Sequence, residues 1–525
     1  IATEMTDICL IFEVHQPFRI NRRFHFDLVT SPGAGTDLFE LYFDRRLNKE
    51  VFDRIARGCY LPANEVILNQ IEQFKKEKKR FKVAYSLSGV FIEQCEMWNQ
   101  DVIESFKQLA ESGCIEFLDQ TYYHSLASLF DSDLSEFIEQ IEQHRETIKS
   151  LFHYEPRVFE NTECIYNNKI ARIAENLGYE AVITEGLERI LGWRAPNYIY
   201  KAKDSSIRVL LRNYLLTDDV GFRFTSRDWD QWPISADKYA NWLAAITGQV
   251  INIFMDYETL GEHYRRESGI LEFLKWLPVE ISKWRHLSFC TPSEVVARHE
   301  PVDEIDVPEN ETISWADTER DISAWLGNSL QSISFDFLKE LEPLARGIEN
   351  KELLKMWRYL QTSDHLYYMS TKKGGSGDVH STFNPYNSPG EVFITYVGIL
   401  SDLQSRFQIE LEKPEFRHKR ILRLLPADKG FTFFHDFARP TGLTARSLHE
   451  FLNILEAVDE ASIKFHMGRG DFERWLDQVL GDEDLAREVS RLAEIGNGEL
   501  LRRNLSDKIQ KRIRELEKLS TKRVR

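Results

Sequence analysis

At 525 residues the chain is too long for a single hydrophobic core, so two or three domains are expected, one of them large. With 42% hydrophobic and 29% charged residues and no apolar run of bilayer-spanning length, the composition excludes a disordered chain and a helical membrane protein. A net charge of -17 argues against a nucleic acid as partner, because a polyanion is repelled over most of the surface, whereas a neutral substrate is indifferent to it.

The opening IATEM carries no basic region and no apolar core, so it does not read as a targeting signal. Six cysteines lie far apart with no Cys-x-x-Cys pair, the pattern of reduced thiols in a cytoplasmic protein. Abundant Glu, Lys and Arg suit a heat-adapted host.

To about residue 300, short β-type runs alternate with helical patterns, the signature of β/α units around a largely parallel sheet. The expected strands are Ile8 to Val14, Phe81 to Leu87, Cys114 to Thr121, Arg157 to Thr162, Glu180 to Thr184, Ile207 to Leu211, Val250 to Asp256 and Leu287 to Cys290. Seven or eight such units predict a barrel. Between them, Leu134, Phe137, Ile138, Ile141, Ile148, Leu151 and Phe152 recur at helical spacing, with Asp133 and Glu136 placed as a capping box.

After Pro301 that rhythm stops, and long helical patterns follow from Asp317 to Met369. The expected division is a β/α barrel over 5–300, a helical domain over 301–425, and a small helical domain over 430–525. KKGGSGDVHSTFNPYNSPG, from Lys372, reads as a loop covering a substrate, since no Gly-Lys-Ser/Thr marks a phosphate loop. The tail from Arg502 is locally basic, with ten Lys/Arg against three Asp/Glu. Leu505, Ile509, Ile513 and Leu516 line one face of its helix, which either packs on its own domain or docks a protein partner.

Function in a β/α barrel collects at the carboxyl ends of the strands. His15 with Gln16 and Pro17, Tyr122 to His124, Glu163, and Asp256 to Glu258 all follow expected strands. Each alone fits a loop or cap role; together they describe a polar cleft with two carboxylates from different strands, as glycosidic cleavage requires. Trp193, Trp229 and Trp232 are candidate stacking platforms for a pyranose, while Trp242, within a helical pattern, is assigned to packing.

HQP at 15–17, SGVFIEQ at 88–94, NTECIYNN at 161–168, MDYETLGEH at 255–263 and TSDHLYY at 362–368 resemble, in order, the five sequence regions of glycoside hydrolase family 57. The resemblance implies an incomplete seven-stranded (β/α)7 barrel followed by a helical domain, acting on α-glucans with retention; no metal or cofactor is expected. It implies Glu163 as nucleophile and Asp256 as general acid/base. His15 and His124 would line the subsite of the reacting glucose, with Asp364 reaching it from the helical domain. Trp193 and Trp232 are added as substrate contacts from loop position. Cys164, beside Glu163 with no basic neighbour to activate it, reads as a small buried hydrophobe. Glu160 would tune the charge of Glu163 or pair with an arginine.

The forms of the last two motifs look most like α-amylases. 4-α-Glucan transfer and branching are close alternatives, because the same two carboxylates serve all three. A metal-dependent carbohydrate deacetylase is disfavoured because the first strand ends in His-Gln rather than His-x-Asp. A non-catalytic glucan-binding protein is disfavoured because both carboxylates are present.

Overall fold

The computed structural model describes residues 5–24, 37–130, 133–372, 384–413 and 416–521. Most of the expected covering loop lies outside these residues. The chain forms two compact units, one of residues 1–335 with 358–397, the other of 336–357 with 398–525. The stretch 301–425, expected as one helical domain, thus contributes to both.

The first unit is built on β1 (Thr6–Val14), β2 (Val83–Leu87), β3 (Ile115–Phe117), β4 (Val158–Glu160), β5 (Ala181–Glu185), β6 (Tyr200–Ala202), β7 (Arg208–Arg212), β8 (Val250–Asp256), β9 (Leu287–Phe289) and β10 (Asp303–Ile305). Parallel pairing runs β2 to β1, β1 to β8, β8 to β7, β7 to β5 and β5 to β4. On the other side β2 pairs with β3, and a parallel bridge between Asp119 and Phe159 joins the chain after β3 to β4. Seven parallel strands therefore close into a barrel. β9 joins the start of β1, while β10 and β6 form an edge in which β6 runs antiparallel to β7.

All eight expected strands exist, but four are shorter than expected, two of them by half or more. Cys114 to Thr121 keeps only Ile115–Phe117 as strand, and Arg157 to Thr162 keeps Val158–Glu160, because the chain leaves the ladder to build the rim. β6 and β10, three residues each, were too short to carry a periodic signal. The expected capping box is also absent: Asp133 accepts from the Ser135 N–H, the helix begins at Ser135, and Glu136 turns inward to a bidentate pair with Arg358 at 2.8 and 2.9 Å.

Alternation sorts the barrel strands into two faces. Ile8, Leu10, Phe12 and Val14 belong to the core shared with the surrounding helices, while Cys9 and Ile11 join Ala84, Val158, Ala181, Ile183, Leu210, Val250 and Phe254 in a second cluster. Two residues further along each strand, the same inward parity reaches Glu13, Ser86, Glu160, Glu185, Arg212 and Asp256. The barrel is apolar along its length and ionic at its carboxyl end.

One close approach shapes that end. Gly261, at φ +147°, lies against the π-helical turn Ala56–Tyr60, and a Cβ there would stand 2.1 Å from the Gly58 carbonyl oxygen. Gly261→Ala is expected to cost about 1–3 kcal/mol through overpacking and unfavourable φ, read as a lowered thermal midpoint. An unchanged midpoint would show that this contact does not constrain the rim.

The second unit carries a hairpin of β11 (Phe431–Asp436) and β12 (Arg439–Ala445) followed by helices, of which the last is Gly498–Thr521. Leu505, Ile509, Ile513 and Leu516 are buried in this unit's own core, so the apolar seam of the basic helix is occupied by packing. All six cysteines are buried and unpaired. Among the described residues, no helix is long and apolar enough to cross a membrane.

Candidate active site

The rim cleft is lined by Glu13, His15, Gln16, Pro17, Arg19, His124, Glu163, Asp256, Glu258, His263, Trp315, Asp364 and Tyr368. Glu163 sits three residues past β4 in a short 3-10 turn. It adopts a left-handed φ of 59°, followed by Cys164 at 53°, and His124 on the adjacent rim is likewise left-handed at 48°. Such backbone costs about 1–2 kcal/mol per non-glycine residue, so it persists only where surrounding contacts hold it. They do so here: Asn161 donates to the Ser128 hydroxyl and the Ile165 carbonyl, Thr162 shares a 2.6 Å hydrogen bond with Thr121, and Thr184 donates to the Cys164 carbonyl.

The Glu163 carboxylate is gripped at both oxygens. Oε1 accepts from the Ser363 hydroxyl at 2.8 Å and lies 3.5 Å from His124 Nε2, while Oε2 accepts from the Trp315 indole N–H at 2.7 Å. Trp315 is in turn fixed by the Phe254 ring at 5.1 Å and by its own backbone N–H on the Glu163 carbonyl. Beneath it lies a square of charges in which Arg212 and Arg320 each bridge Glu185 and Asp218. With each arginine bridging both carboxylates, the square compensates the desolvation of the buried Arg212 and Glu185.

Register places Asp256 beside Glu13, at the last step of the β1–β8 ladder. Two residues on, Glu258 accepts a 2.5 Å hydrogen bond from Tyr60, and burial, reinforced by the Asp256 charge, pushes its carboxyl up to about 8. Glu258 is therefore a neutral hydrogen-bond donor at pH 7.

His15 and His124 stack, ring centroids 3.9 Å apart. His15 Nδ1 meets the Ser88 hydroxyl at 2.7 Å and Nε2 meets Asp364 at 3.0 Å, a network that assigns Nε2–H as donor to the carboxylate. Burial, then the neighbouring His124 charge, lowers His15 to about 4. At His124 burial also opposes the cation, but the hydrogen bond to Glu163 and the nearby carboxylates outweigh it and raise the imidazole to about 9. One ring is thus charged and its stacked partner neutral. Removing the anion should reverse this: in a Glu163→Gln variant the His124 titration is expected to fall from about 9 towards 6.5 or below, because burial is then the dominant influence. Imidazole NMR titration measures it, and a midpoint still near 9 would show that Glu163 is not the controlling charge.

Glu160 meets no arginine among the described residues, contrary to one expectation. Its carboxyl accepts from the Ser86 hydroxyl and the Cys164 N–H and lies against Glu13; burial raises both acids, Glu160 to about 8. Two carboxyls in contact in a dry site cannot both ionise, so the pair retains a proton beneath the cleft. Burial also holds the Cys164 thiol well above its ordinary range, consistent with packing rather than nucleophilicity.

The motif between His15 and Glu163 is scaffold. Ser88 caps the helix Gly89–Trp98, Gln94 donates to the Gln16 carbonyl at 2.6 Å, and Glu93 accepts from Tyr122 and Tyr359. TSDHLYY reaches the rim through the Thr362 hydroxyl on the Tyr123 carbonyl and the Ser363 N–H on the His124 carbonyl, which delivers Ser363 and Asp364. Glu163, Asp256, His15, His124 and Asp364 therefore share one cleft.

Trp193 and Trp232 are not among its lining residues; they are 94% and 40% exposed, and Trp229 packs edge-on to Trp242. Sequence reasoning passed over Trp315, Ser363, Glu13 and the role of Glu258. Trp315 had a signal, an indole in a polar irregular segment, and Glu13 had another, its even spacing from Cys9 and Ile11. Among the described residues no group of three or more His, Cys, Asp and Glu is arranged to hold a metal ion.

Residues 9–308 match the model of glycosyl hydrolase family 57. The chain is 50% identical over 413 residues to a Methanocaldococcus jannaschii protein named "Putative alpha-amylase", covering 77% of this chain and 85% of that one. Its fold is similar to that of a 4-alpha-glucanotransferase from Thermococcus litoralis, with TM-score 0.53, 16% identity, and coverage of 82% of this chain and 63% of the other. A GH57 branching enzyme from Thermococcus kodakaraensis gives TM-score 0.54 and 13% identity, covering 77% of this chain and 95% of the other. With five ordered motifs, a seven-stranded parallel barrel and a carboxylate-lined rim, this chain belongs to glycosyl hydrolase family 57 and is an enzyme of that family.

Proposed function

We propose that the protein cleaves α-1,4-glucosidic bonds in maltooligosaccharides, starch or glycogen with retention of configuration, Glu163 acting as nucleophile and Asp256 as general acid/base. The observation that carries this reading is the grip on Glu163: an indole N–H, a serine hydroxyl and a cationic histidine hold one carboxylate as an oriented anion at the strand mouth.

In the first step Glu163 attacks the anomeric carbon while Asp256 gives its proton to the departing glycosidic oxygen, forming a glycosyl ester and a shorter glucan. In the second, Asp256 takes a proton from water, which breaks the ester and releases the sugar with its original configuration. The protonated Glu258 offers a hydrogen bond to a sugar hydroxyl without adding charge, and Asp364, oriented by the neutral His15, accepts one. The exposed Trp193 and Trp232 suit outer contacts with a longer chain. No step needs a cofactor, and the six unpaired thiols support a cytoplasmic setting.

The test is the product profile on maltoheptaose. Only shorter products mean hydrolysis; products longer than the substrate mean that a glucan hydroxyl replaces water and the enzyme is a transferase. A chain that consumes neither maltoheptaose nor glycogen would overturn the reading.

A further inference from the structure

A second cleft lies wholly within the C-terminal unit, with a volume of about 540 Å³, inside the range of ligand sites. Its walls are aromatic: Phe431, Phe434, Phe437, Phe465 and Trp475. Phe431 and Trp475 belong to the core, but Phe437 does not. It stands between β11 and β12 at 80% exposure, with Phe465 edge-on at 5.3 Å. A large apolar ring costs solvation when left in water, so the exposed Phe437 set against the half-buried Phe465 calls for an explanation that core packing does not supply. The rings are also held in place: the Arg469 guanidinium lies 4.5 Å from the Phe437 centroid and 5.3 Å from that of Phe465.

The polar wall decides the ligand class. Asp471 accepts from Arg469 at 3.0 Å, from Arg474 at 2.5 Å and from His466 Nδ1 at 2.8 Å, while Asp436 is paired with Arg439. With Asp436 and Asp471 set against Arg469 and Arg474, the lining carries no excess charge that would select an anion or a cation. A neutral ligand with many hydroxyls displaces nothing, because planar guanidinium, carboxylate and Gln478 amide groups keep further hydrogen-bonding capacity. A ligand that is neutral, rich in hydroxyls and apolar on one face is a sugar chain.

We propose that this cleft is a non-catalytic binding site for an α-glucan chain, with Phe437 as the stacking platform and Phe465 as the wall set edge-on against it. The choice of α-glucan among sugars rests on the function proposed above. Such a site holds a polymer by a second point, which raises the local concentration of bonds to be cut.

The test uses the full chain carrying Glu163→Gln, so that bound glucan is not consumed, in native gels containing glycogen. Adding Phe437→Ala and Phe465→Ala is expected to weaken the apparent affinity for glycogen about tenfold, while the same pair of changes in the active enzyme leaves kcat/KM on maltotriose within about twofold. Unaltered mobility in glycogen-free gels checks that the variant is folded, and Gln478→Ala, a smaller change on the exposed wall, is expected to weaken retardation in the same direction. Glycogen retardation unchanged in both variants would overturn the proposal, as would retardation that collapses in 0.5 M salt, which would mark an ionic ligand. The two readings fail separately. A chain that cleaves glucans but keeps its retardation in the variants refutes this site alone; one that cleaves none but loses retardation in them refutes the catalytic reading alone.

Discussion

Replacing Glu163 with alanine is expected to lower kcat on maltoheptaose by about 10⁴-fold or more, the scale seen when a covalent nucleophile is removed. Neither Glu160 nor Cys164, its neighbours along the chain, can take over its place. Glu160 is three residues back, facing the barrel interior and sharing a proton with Glu13, and burial holds Cys164 as the neutral thiol. Alanine leaves a cavity bordered by three hydrogen-bond donors, the Ser363 hydroxyl, the Trp315 N–H and the His124 ring, which is a receptive site for a small anion. Azide should therefore restore turnover, and because it attacks from the face that Glu163 occupied, the product should be the β-glucosyl azide, identifiable by NMR. An alanine variant of undiminished rate, or one rescued to the α-azide, would remove Glu163 from the nucleophile's role.

Asp256→Asn has the next largest expected effect, a fall in kcat/KM of about 10²–10⁴-fold on natural glucans, the usual contribution of proton transfer in the transition state. The loss should depend on the substrate. A sugar leaving group departs as an unstable alkoxide unless protonated, whereas a dinitrophenyl group departs unaided, so an α-glucosyl dinitrophenolate substrate should show a much smaller decrease in the first step. Asparagine keeps the size and the place of Asp256 beside Glu13 at the end of β8, so packing is preserved. An equal loss on both substrates would assign Asp256 to binding rather than to protonation.

The two histidines show why charge state at this rim is a collective property. Either imidazole alone would titrate near neutrality. Stacked at 3.9 Å, they cannot both be charged, and the choice falls to the ring that faces Glu163. The same logic keeps a proton on the Glu13 and Glu160 pair and on Glu258, so a cleft with five carboxyl groups in its lining carries far less charge than its composition suggests.

The strands were legible because parallel β-strands covered on both faces are nearly continuous apolar runs, and each of the eight runs became a strand. The expected strand Arg157 to Thr162 also sets Glu163 apart from Glu160, since only the former lies past its end. What the runs did not carry was where pairing stops. Leu118 is as apolar as Phe117, yet the chain departs there to carry the rim, which is a consequence of closing a ring of seven strands rather than of any local preference. Likewise β10 exists only because it finds β6, at a separation of about a hundred residues.

Sequence by itself thus determined the β/α order, the strand mouths that bear the acids and the motifs that gather around them, because these depend on periodicity and on neighbours along the chain. Tertiary structure alone decided which groups meet: Trp315 and Ser363 on Glu163, Asp364 on His15, Glu160 against Glu13 instead of an arginine, and Trp193 in solvent rather than in the cleft. Those contacts span about 150 to 350 residues of sequence, and at such distances partner choice is set by barrel closure and by the desolvation cost of leaving a buried polar group unmatched, neither of which is written in any local pattern.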